Sequence, residues 1–144
     1  MRTRGTETLE LDELWSFTGN KKNVRWIWLA ICLRTRQIIA YYIGDRSEES
    51  CLQFWMNIPQ PYWHSWTYSD FWEAYQNVFD SKTHFSVGKE TGKTSHIERF
   101  ICTLRQRVGR LVRKTLSFSK SDFFHDLAVK MFIISYNKDM FISV

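Results

Sequence analysis

The sequence has few of the residues that break or cross-link a chain. Its 144 residues include only 2 Pro and 6 Gly, which argues against a disordered or low-complexity protein. The three cysteines, Cys32, Cys51 and Cys102, stand far apart, and no Cys-x-x-Cys pair suggests a zinc knuckle or a disulfide framework. We expect reduced, buried thiols in a cytoplasmic protein. No signal peptide is recognisable, and no apolar run approaches the roughly 18 residues that span a bilayer.

Hydrophobic and aromatic residues are plentiful instead. They make up 44% and 17% of the chain, enough for a packed core, and the length predicts one domain over residues 1–144 with a loose arm at 1–6. The formal net charge is +5, and its distribution is uneven. From Arg99 to Lys120 there are seven basic residues and no acidic one. Such a block favours a polyanionic partner such as nucleic acid, although a solvated helix face would explain it as well.

The hydrophobic pattern predicts a mixed α/β fold. Three antiparallel strands come first, followed by helices that alternate with two more strands. Strands are predicted at 7–17, 24–34, 38–44, 62–70 and 82–87, and helices at 47–58, 71–79, 95–116 and 123–137. The expected architecture is a five-stranded sheet, with three antiparallel strands and then two parallel ones, flanked by helices. This is the element order of the RNase H-like fold, although topology alone does not give function.

Asp70 lies where the fourth predicted strand meets a helix. It is suited to cap a helix beginning at Phe71, with Glu73 in capping-box spacing. The carboxyl end of a strand before a helix is also where open α/β sheets place their binding sites. Both interpretations stay open at this point.

Asp12 lies inside the first predicted strand, on the same face as Glu10 and Leu14. One interpretation is a strand with a wet face that holds both acids. The other is a carboxylate that is buried beside a metal, because burying an unpaired carboxylate is costly. We expect the more apolar face, with Leu9 and Leu11, to pack under helices and Asp12 to lie on the other.

Glu98 lies on the long helix, beside the apolar row that begins at Ile97 and Ile101. Arg105 follows seven residues later and therefore shares one line of the helix surface with Glu98. Taken alone, Glu98 suits a solvated position near arginines. Together with Asp12 and Asp70, it suits a site at one edge of the sheet. Three ionised carboxylates would repel one another there, and Mg²⁺ with its oxygen ligands would relieve that repulsion.

With these three acids identified, the chain resembles the catalytic part of DDE transposases, in particular the insertion-sequence-one family of bacterial insertion elements. The resemblance covers about residues 9 to 136. It is carried by LDELWSFTGNKK around Asp12, YSDFWEAY around Asp70, and HIERFICTLRQRVGRLVRKTLSFSKS around Glu98. A basic residue two helical turns after the glutamate is a feature of that superfamily, and Arg105 stands at this position.

The resemblance implies an RNase H-like core in which Asp12, Asp70 and Glu98 are catalytic ligands of two Mg²⁺ ions, which Mn²⁺ would replace. It implies cleavage of donor DNA ends by water and joining of the freed 3′-hydroxyl to target DNA, on the nucleoid of a bacterium. We expect a homo-oligomer on DNA and phosphate contacts from basic residues, which are Arg99, Arg105, Arg107, Arg110, Arg113, Lys114 and Lys120. Relatives carry an N-terminal zinc-binding and helix-turn-helix region for end recognition. We expect this chain to be one product of a split or frameshifted gene, or a truncated copy.

Two alternatives remain open from the sequence. The first is a metal-dependent nuclease of the same fold, which hydrolyses DNA without joining strands. The second is an inactive or truncated transposase fragment that binds DNA as a regulator. Strand joining separates the first alternative from transposition. Binding that survives loss of the carboxylates is expected of the second.

Overall fold

The computed structural model describes residues 7–19, 22–70, 72–114 and 122–143, with the side chains of all of these except 108–114 and 143. The predicted arm at 1–6 and the LSFSKS stretch at 116–121 therefore lie outside the described residues. The strands and helices follow one another in the predicted order. They are β1 (Thr8–Phe17), β2 (Val24–Cys32), β3 (Ile38–Gly44), α1 (Glu48–Asn57), β4 (Trp66–Ser69), α2 (Glu73–Val78), β5 (His84–Ser86), α3 (Ser95–Lys114) and α4 (Asp122–Ser143).

The five strands form one mixed sheet in the order β3-β2-β1-β4-β5. The first three strands pair antiparallel, whereas β4 pairs parallel with β1 on one side and with β5 on the other. The predicted α/β class and sheet composition are thus confirmed. Because β1 is the central strand and β4 runs beside it in the same direction, the carboxyl ends of both strands lie at one edge of the sheet.

Helices cover both faces of the sheet. Leu9, Leu11 and Trp28 are fully buried on the face that packs against α1 and α2. Leu14 and Leu29 are buried on the opposite face, which packs against α3 and α4. The expectation that the face with Leu9 and Leu11 packs under helices is therefore confirmed, and the opposite face is covered by helices as well. The reason lies in β2, which is apolar at nearly every position and so supplies core residues to both sides.

Several predicted elements are longer than the observed ones. The fourth strand begins at Trp66 instead of residue 62, because Pro59 and Pro61 precede it and Gln60–Tyr62 forms a 3₁₀ turn. The following helix begins at Glu73 instead of residue 71. The first helix keeps its predicted start, since the Ser47 side chain accepts a hydrogen bond from the backbone N–H of Ser50 and caps it.

Glu10 attaches helix α3 to the central strand. Its carboxylate is buried and accepts hydrogen bonds from the backbone N–H groups of His96 and Ile97 at 2.8 and 3.0 Å. His96 Nδ1 lies 2.7 Å from the other carboxylate oxygen. A negative charge at the N-terminus of a helix complements its dipole and satisfies N–H groups that have no partner within the helix. Glu10 is therefore a buried anchor and not a residue of a wet face, and it fixes the first turn of α3, which carries Glu98.

Helix α4 packs one side against the sheet and leaves another exposed. Val129 and Ile133 are buried, while Phe123, Phe141 and Ile142 are at least 70% exposed. Within the described ranges, no helix is long and apolar enough to cross a membrane.

Candidate active site

Asp12 and Asp70 come together where β1 and β4 run side by side. The parallel register pairs Thr8 with Trp66 and Glu10 with Tyr68. Continued by two residues, the same register aligns Asp12 with Asp70 on one face of the sheet. One carboxylate oxygen from each of Asp12, Glu13 and Asp70 can be chosen so that all three atoms lie within 4.8 Å of one another. The sheet thus brings together the two aspartates that the sequence singled out, with Glu13 as a third acid.

Asp70 organises the turn between β4 and α2 without capping the helix. Its Oδ1 accepts a hydrogen bond from the backbone N–H of Trp72 at 3.0 Å, whereas α2 begins at Glu73 with Trp72 at the N-cap position. The interpretation of Asp70 as the cap of a helix from Phe71 is therefore wrong, and Phe71 itself lies outside the described residues. Asp70 is half-buried at the carboxyl end of the strand, where a ligand would be placed.

A buried histidine supports the strand that carries Asp70. His84 on β5 lies 2.8 Å from Thr67 Oγ1 and 3.0 Å from Ser69 Oγ, and the Ser69 hydroxyl donates to the backbone carbonyl of Asp70. Burial lowers the pKa of His84 from 6.5 to about 4, so the ring is neutral at physiological pH and links the two strands through both nitrogens. His84 therefore has a structural role in holding β4 beside β5.

Glu13 is the acidic residue that sequence reasoning missed. Its side chain is 2% exposed, and both carboxylate oxygens are engaged: Oε1 accepts from the Tyr75 hydroxyl at 2.8 Å, and Oε2 from Arg46 at 2.6 Å. Burial raises the pKa of Glu13, while the hydrogen bonds from Tyr75 and Arg46 lower it. Glu13 is therefore an acid next to Asp12 and Asp70 that is held in place by Tyr75 and Arg46. Its position directly after Asp12 was the only local signal.

Asp12 is the electrostatic centre of the cluster. Burial and the neighbouring charge of Glu13 raise its pKa from 3.8 to about 7, and the charges of Asp70 and Glu98 add to the effect. A hydrogen bond from the backbone N–H of Glu13 to Asp12 Oδ1, at 2.8 Å, opposes the shift only in part. The folded protein therefore disfavours ionised Asp12 unless a positive charge is nearby.

Asp12→Asn is expected to stabilise the protein at pH 8 when divalent cations are chelated. Because the folded-state pKa of Asp12 is raised, the fold favours the protonated acid, and stability falls as the pH rises from about 4 through about 7. Asparagine mimics the protonated form at every pH. We expect the variant to exceed wild type by about 2–4 kcal/mol at pH 8 and to match it near pH 4. Urea unfolding at both pH values measures this, and a difference that does not change with pH would contradict it.

Glu98 lies beside the cluster and not within it. It is half-buried in the first turn of α3, and its Oε2 accepts a hydrogen bond from Thr94 Oγ1 at 2.8 Å. Among the described residues, the set of acids within 4.8 Å of one another consists of Asp12, Glu13 and Asp70 without Glu98. Glu98 is nevertheless near enough for its charge to raise the pKa of Asp12. The structure therefore joins two of the three predicted ligands closely and places the third next to them.

Three of the predicted DNA-contacting residues have described side chains, and these lie on the outer surface of α3. Arg99, Arg105 and Arg107 are exposed, while Ile97, Ile101 and Leu104 form the predicted buried row. Cys102 is also exposed, so the expectation of a buried thiol is wrong there, although Cys32 and Cys51 are buried as predicted. The remaining predicted DNA-contacting side chains lie outside the description, namely Arg110, Arg113, Lys114 and Lys120.

The donor set fits a hard divalent cation. Carboxylate oxygens at the edge of a sheet are ligands that Mg²⁺ accepts alongside water and phosphate oxygens. Burial is the main cause of the raised pKa of Asp12, and neighbouring negative charges, which a bound cation would compensate, raise it further. Asp12, Glu13 and Asp70 are the acids close enough to hold such an ion together, and both oxygens of Glu13 also accept hydrogen bonds from Tyr75 and Arg46.

Comparison with known proteins identifies the family of this chain. A family model described as IS1 transposase matches residues 7–142. The insertion element iso-IS1n protein InsB of Shigella dysenteriae is 37% identical over 126 residues, which are 86% of this chain and 92% of that protein. The insertion element IS1 4 protein InsB of Escherichia coli strain K12 is 32% identical over 120 residues, which are 83% of this chain and 70% of that protein. No solved structure matches the chain significantly. The chain belongs to the IS1 transposase family.

Proposed function

We propose that this chain is the catalytic part of an IS1-type transposase that cleaves donor DNA ends and joins the freed 3′-hydroxyl to target DNA in a metal-dependent reaction. The observation that carries the proposal is the crowding of Asp12 and Asp70 on neighbouring parallel strands, with Glu98 beside them, in a chain of this family.

The three acids would hold two Mg²⁺ ions, with Mn²⁺ as a substitute. When bound, such ions activate the attacking oxygen and stabilise the leaving oxygen of a phosphodiester. The chain's own residues keep the ligands in place. Thr94 orients the Glu98 carboxylate, and Glu10 fixes the start of α3 against β1. Positioned ligands matter because a displacement of about 1 Å at a reacting centre can lower the rate a hundredfold.

DNA would lie along α3, next to the carboxylates. Arg105 would contact a phosphate near the site, since it is exposed two turns after Glu98 on the same helix. Arg99 and Arg107 would contact further phosphates, as would the basic residues that follow, and each such contact releases a condensed counterion. Binding should therefore weaken steeply as the salt concentration rises.

Assembly and end recognition complete the proposal. The chain would act as a homo-oligomer on nucleoid DNA, and a zinc-binding helix-turn-helix region, fused or separate, would recognise the element ends. The exposed apolar residues of α4 are suited to contacts between copies.

The test is an assay that reports cleavage and joining separately. An intact labelled donor duplex, which reports cleavage, and one pre-nicked at an element end, which reports joining, are each incubated with supercoiled target DNA and Mg²⁺, Mn²⁺ or chelator. Transposition predicts that the label joins the target only with a divalent ion. Cleavage without joining would favour a nuclease of the same fold. DNA binding without either reaction would favour an inactive fragment with a regulatory role.

A further inference from the structure

Three aromatic rings form an open surface on β4 and β5, here called the aromatic platform: Trp66, Tyr68 and Phe85. Trp66 and Phe85 lie with ring centroids 5.6 Å apart and planes inclined by 28°. Tyr68 and Phe85 are 5.3 Å apart at 27°. Trp66 is 43% exposed and Phe85 is 39% exposed. The three rings thus stack with nearly parallel planes, and Trp66 and Phe85 are partly exposed to solvent.

On these two strands the polar side chains are buried and the aromatic side chains are exposed, which is the reverse of ordinary packing. Thr67, Ser69 and His84 point to the covered face, where all three are buried and His84 is hydrogen-bonded to the other two. The aromatic residues at the alternate positions face outward. Hydrophobic burial favours the opposite arrangement, because aromatic rings gain far more than hydroxyls on leaving water. An exposed aromatic surface of this kind indicates a binding site.

The platform continues directly into the carboxylate site. Tyr68 is in register with Glu10, so both lie on the sheet face that β1 shares with Asp12. Asp70 follows Tyr68 by two residues, and about 13 Å of extended strand separates Trp66 from Asp70. Lys93, from the loop before α3, places its ammonium 5.8 Å from the centre of the Tyr68 ring. The surface therefore offers stacking faces and a positive charge within a few nucleotides of the acids.

We propose that the aromatic platform binds unpaired bases of the DNA strand whose phosphodiester lies at Asp12 and Asp70. Stacked aromatic rings beside a lysine suit single-stranded nucleic acid, since every base has a face that stacks and every linkage is anionic. Bases inside a duplex cannot reach such rings, so the ligand is a strand that is frayed or opened next to the cleavage position. This inference rests on the proposed function, because it takes DNA as the substrate of the neighbouring site.

The test is binding of a fluorescein-labelled oligothymidylate of about twelve nucleotides, followed by anisotropy in the presence of chelator. Trp66→Leu and Phe85→Leu keep apolar bulk but remove a stacking face, and each is expected to weaken binding roughly five- to a hundredfold. Trp66→Phe keeps a ring and should stay within about twofold of wild type. Trp63→Leu removes an aromatic ring that is 37% exposed and lies outside the platform, at the end of the Gln60–Tyr62 turn, and it is the matched control. Binding of a blunt duplex should change less than about twofold in all four variants.

Three results would overturn the platform. In the first, wild type does not bind the oligothymidylate. In the second, the leucine variants bind it as tightly as wild type does. In the third, wild type is a dimer in sedimentation and the leucine variants are not, which would make this surface a contact between copies. Crosslinking of wild type to an oligonucleotide with 5-iododeoxyuridine requires no folded variant. Crosslinks at Trp66, Tyr68 or Phe85 support the inference, and crosslinks confined to other residues oppose it.

Different results would reject the platform proposal and the catalytic proposal. Leucine variants with unchanged binding, in a protein whose cleavage still requires Asp70, would reject the platform alone. Platform-dependent binding by a protein that cleaves no DNA under any metal would reject the catalytic proposal alone.

Discussion

Asp70→Asn is expected to lower metal-dependent DNA cleavage and joining by roughly a thousandfold or more. The substitution keeps the shape of the side chain, and its oxygen can still accept the hydrogen bond from the Trp72 N–H. It removes one of the negative charges that suit the site to a divalent cation. Metal ions stabilise transition-state charge by several kcal/mol, and about 1.4 kcal/mol corresponds to a factor of ten in rate.

Glu98→Gln tests the carboxylate that lies beside the close cluster, and we expect a loss of comparable size. Glu49→Gln is the matched control, because Glu49 is an exposed carboxylate in the first turn of a different helix, α1. It should cleave like wild type. If Asp70→Asn and Glu98→Gln retained cleavage within about tenfold of Glu49→Gln, the catalytic role of these acids would be wrong.

Arg46→Met is expected to destabilise the protein by about 2–4 kcal/mol at neutral pH. Arg46 pairs with Glu13 through two nitrogens at 2.6 and 2.9 Å, and its guanidinium lies 3.9 Å from the centre of the Trp72 ring and 4.7 Å from that of Trp26. Methionine replaces the apolar contact but leaves the buried Glu13 carboxylate without its cation. Breaking a buried pair from one side is costly, because the remaining charge stays in a poorly solvated place.

Denaturant unfolding of the single and double variants separates charge from packing. Glu13→Gln in the Arg46→Met background should recover part of the loss, since no buried charge then remains. Arg25→Met is the control, because its partner Asp122 has a side chain that is 67% exposed, and such surface pairs contribute less than about 1 kcal/mol. Equal losses in Arg25→Met and Arg46→Met would show that the burial of Glu13 has no energetic consequence.

Local signals in the sequence were sufficient for the element order and for part of the site. Ser47 caps α1 as its position predicts, and the alternating pattern of helices and strands after β3 implies parallel pairing. That pairing alone places Asp12 and Asp70 side by side. Glu98 could be placed near them because it lies in the first turn of the helix that comes next after β5.

The residues that organise the site were not predictable, because their partners are distant in the chain. Glu10 contacts the start of α3 more than eighty positions away, and Glu13 contacts Arg46 and Tyr75. Sequence periodicity shows which face a residue occupies, but not which element covers that face. The same reason explains Trp66. Its large aromatic side chain is typical of a buried strand position, yet it lies on a part of the sheet where it is 43% exposed.

The most direct test of the account is Mn²⁺ binding in the presence of a short DNA duplex, measured by electron paramagnetic resonance on wild type, Asp12→Asn, Asp70→Asn and Glu49→Gln. The account predicts that wild type and Glu49→Gln bind Mn²⁺ alike and that both aspartate variants bind it at least tenfold more weakly. Equal Mn²⁺ binding by all four proteins would contradict the assignment of Asp12 and Asp70 as the metal-binding centre of this transposase.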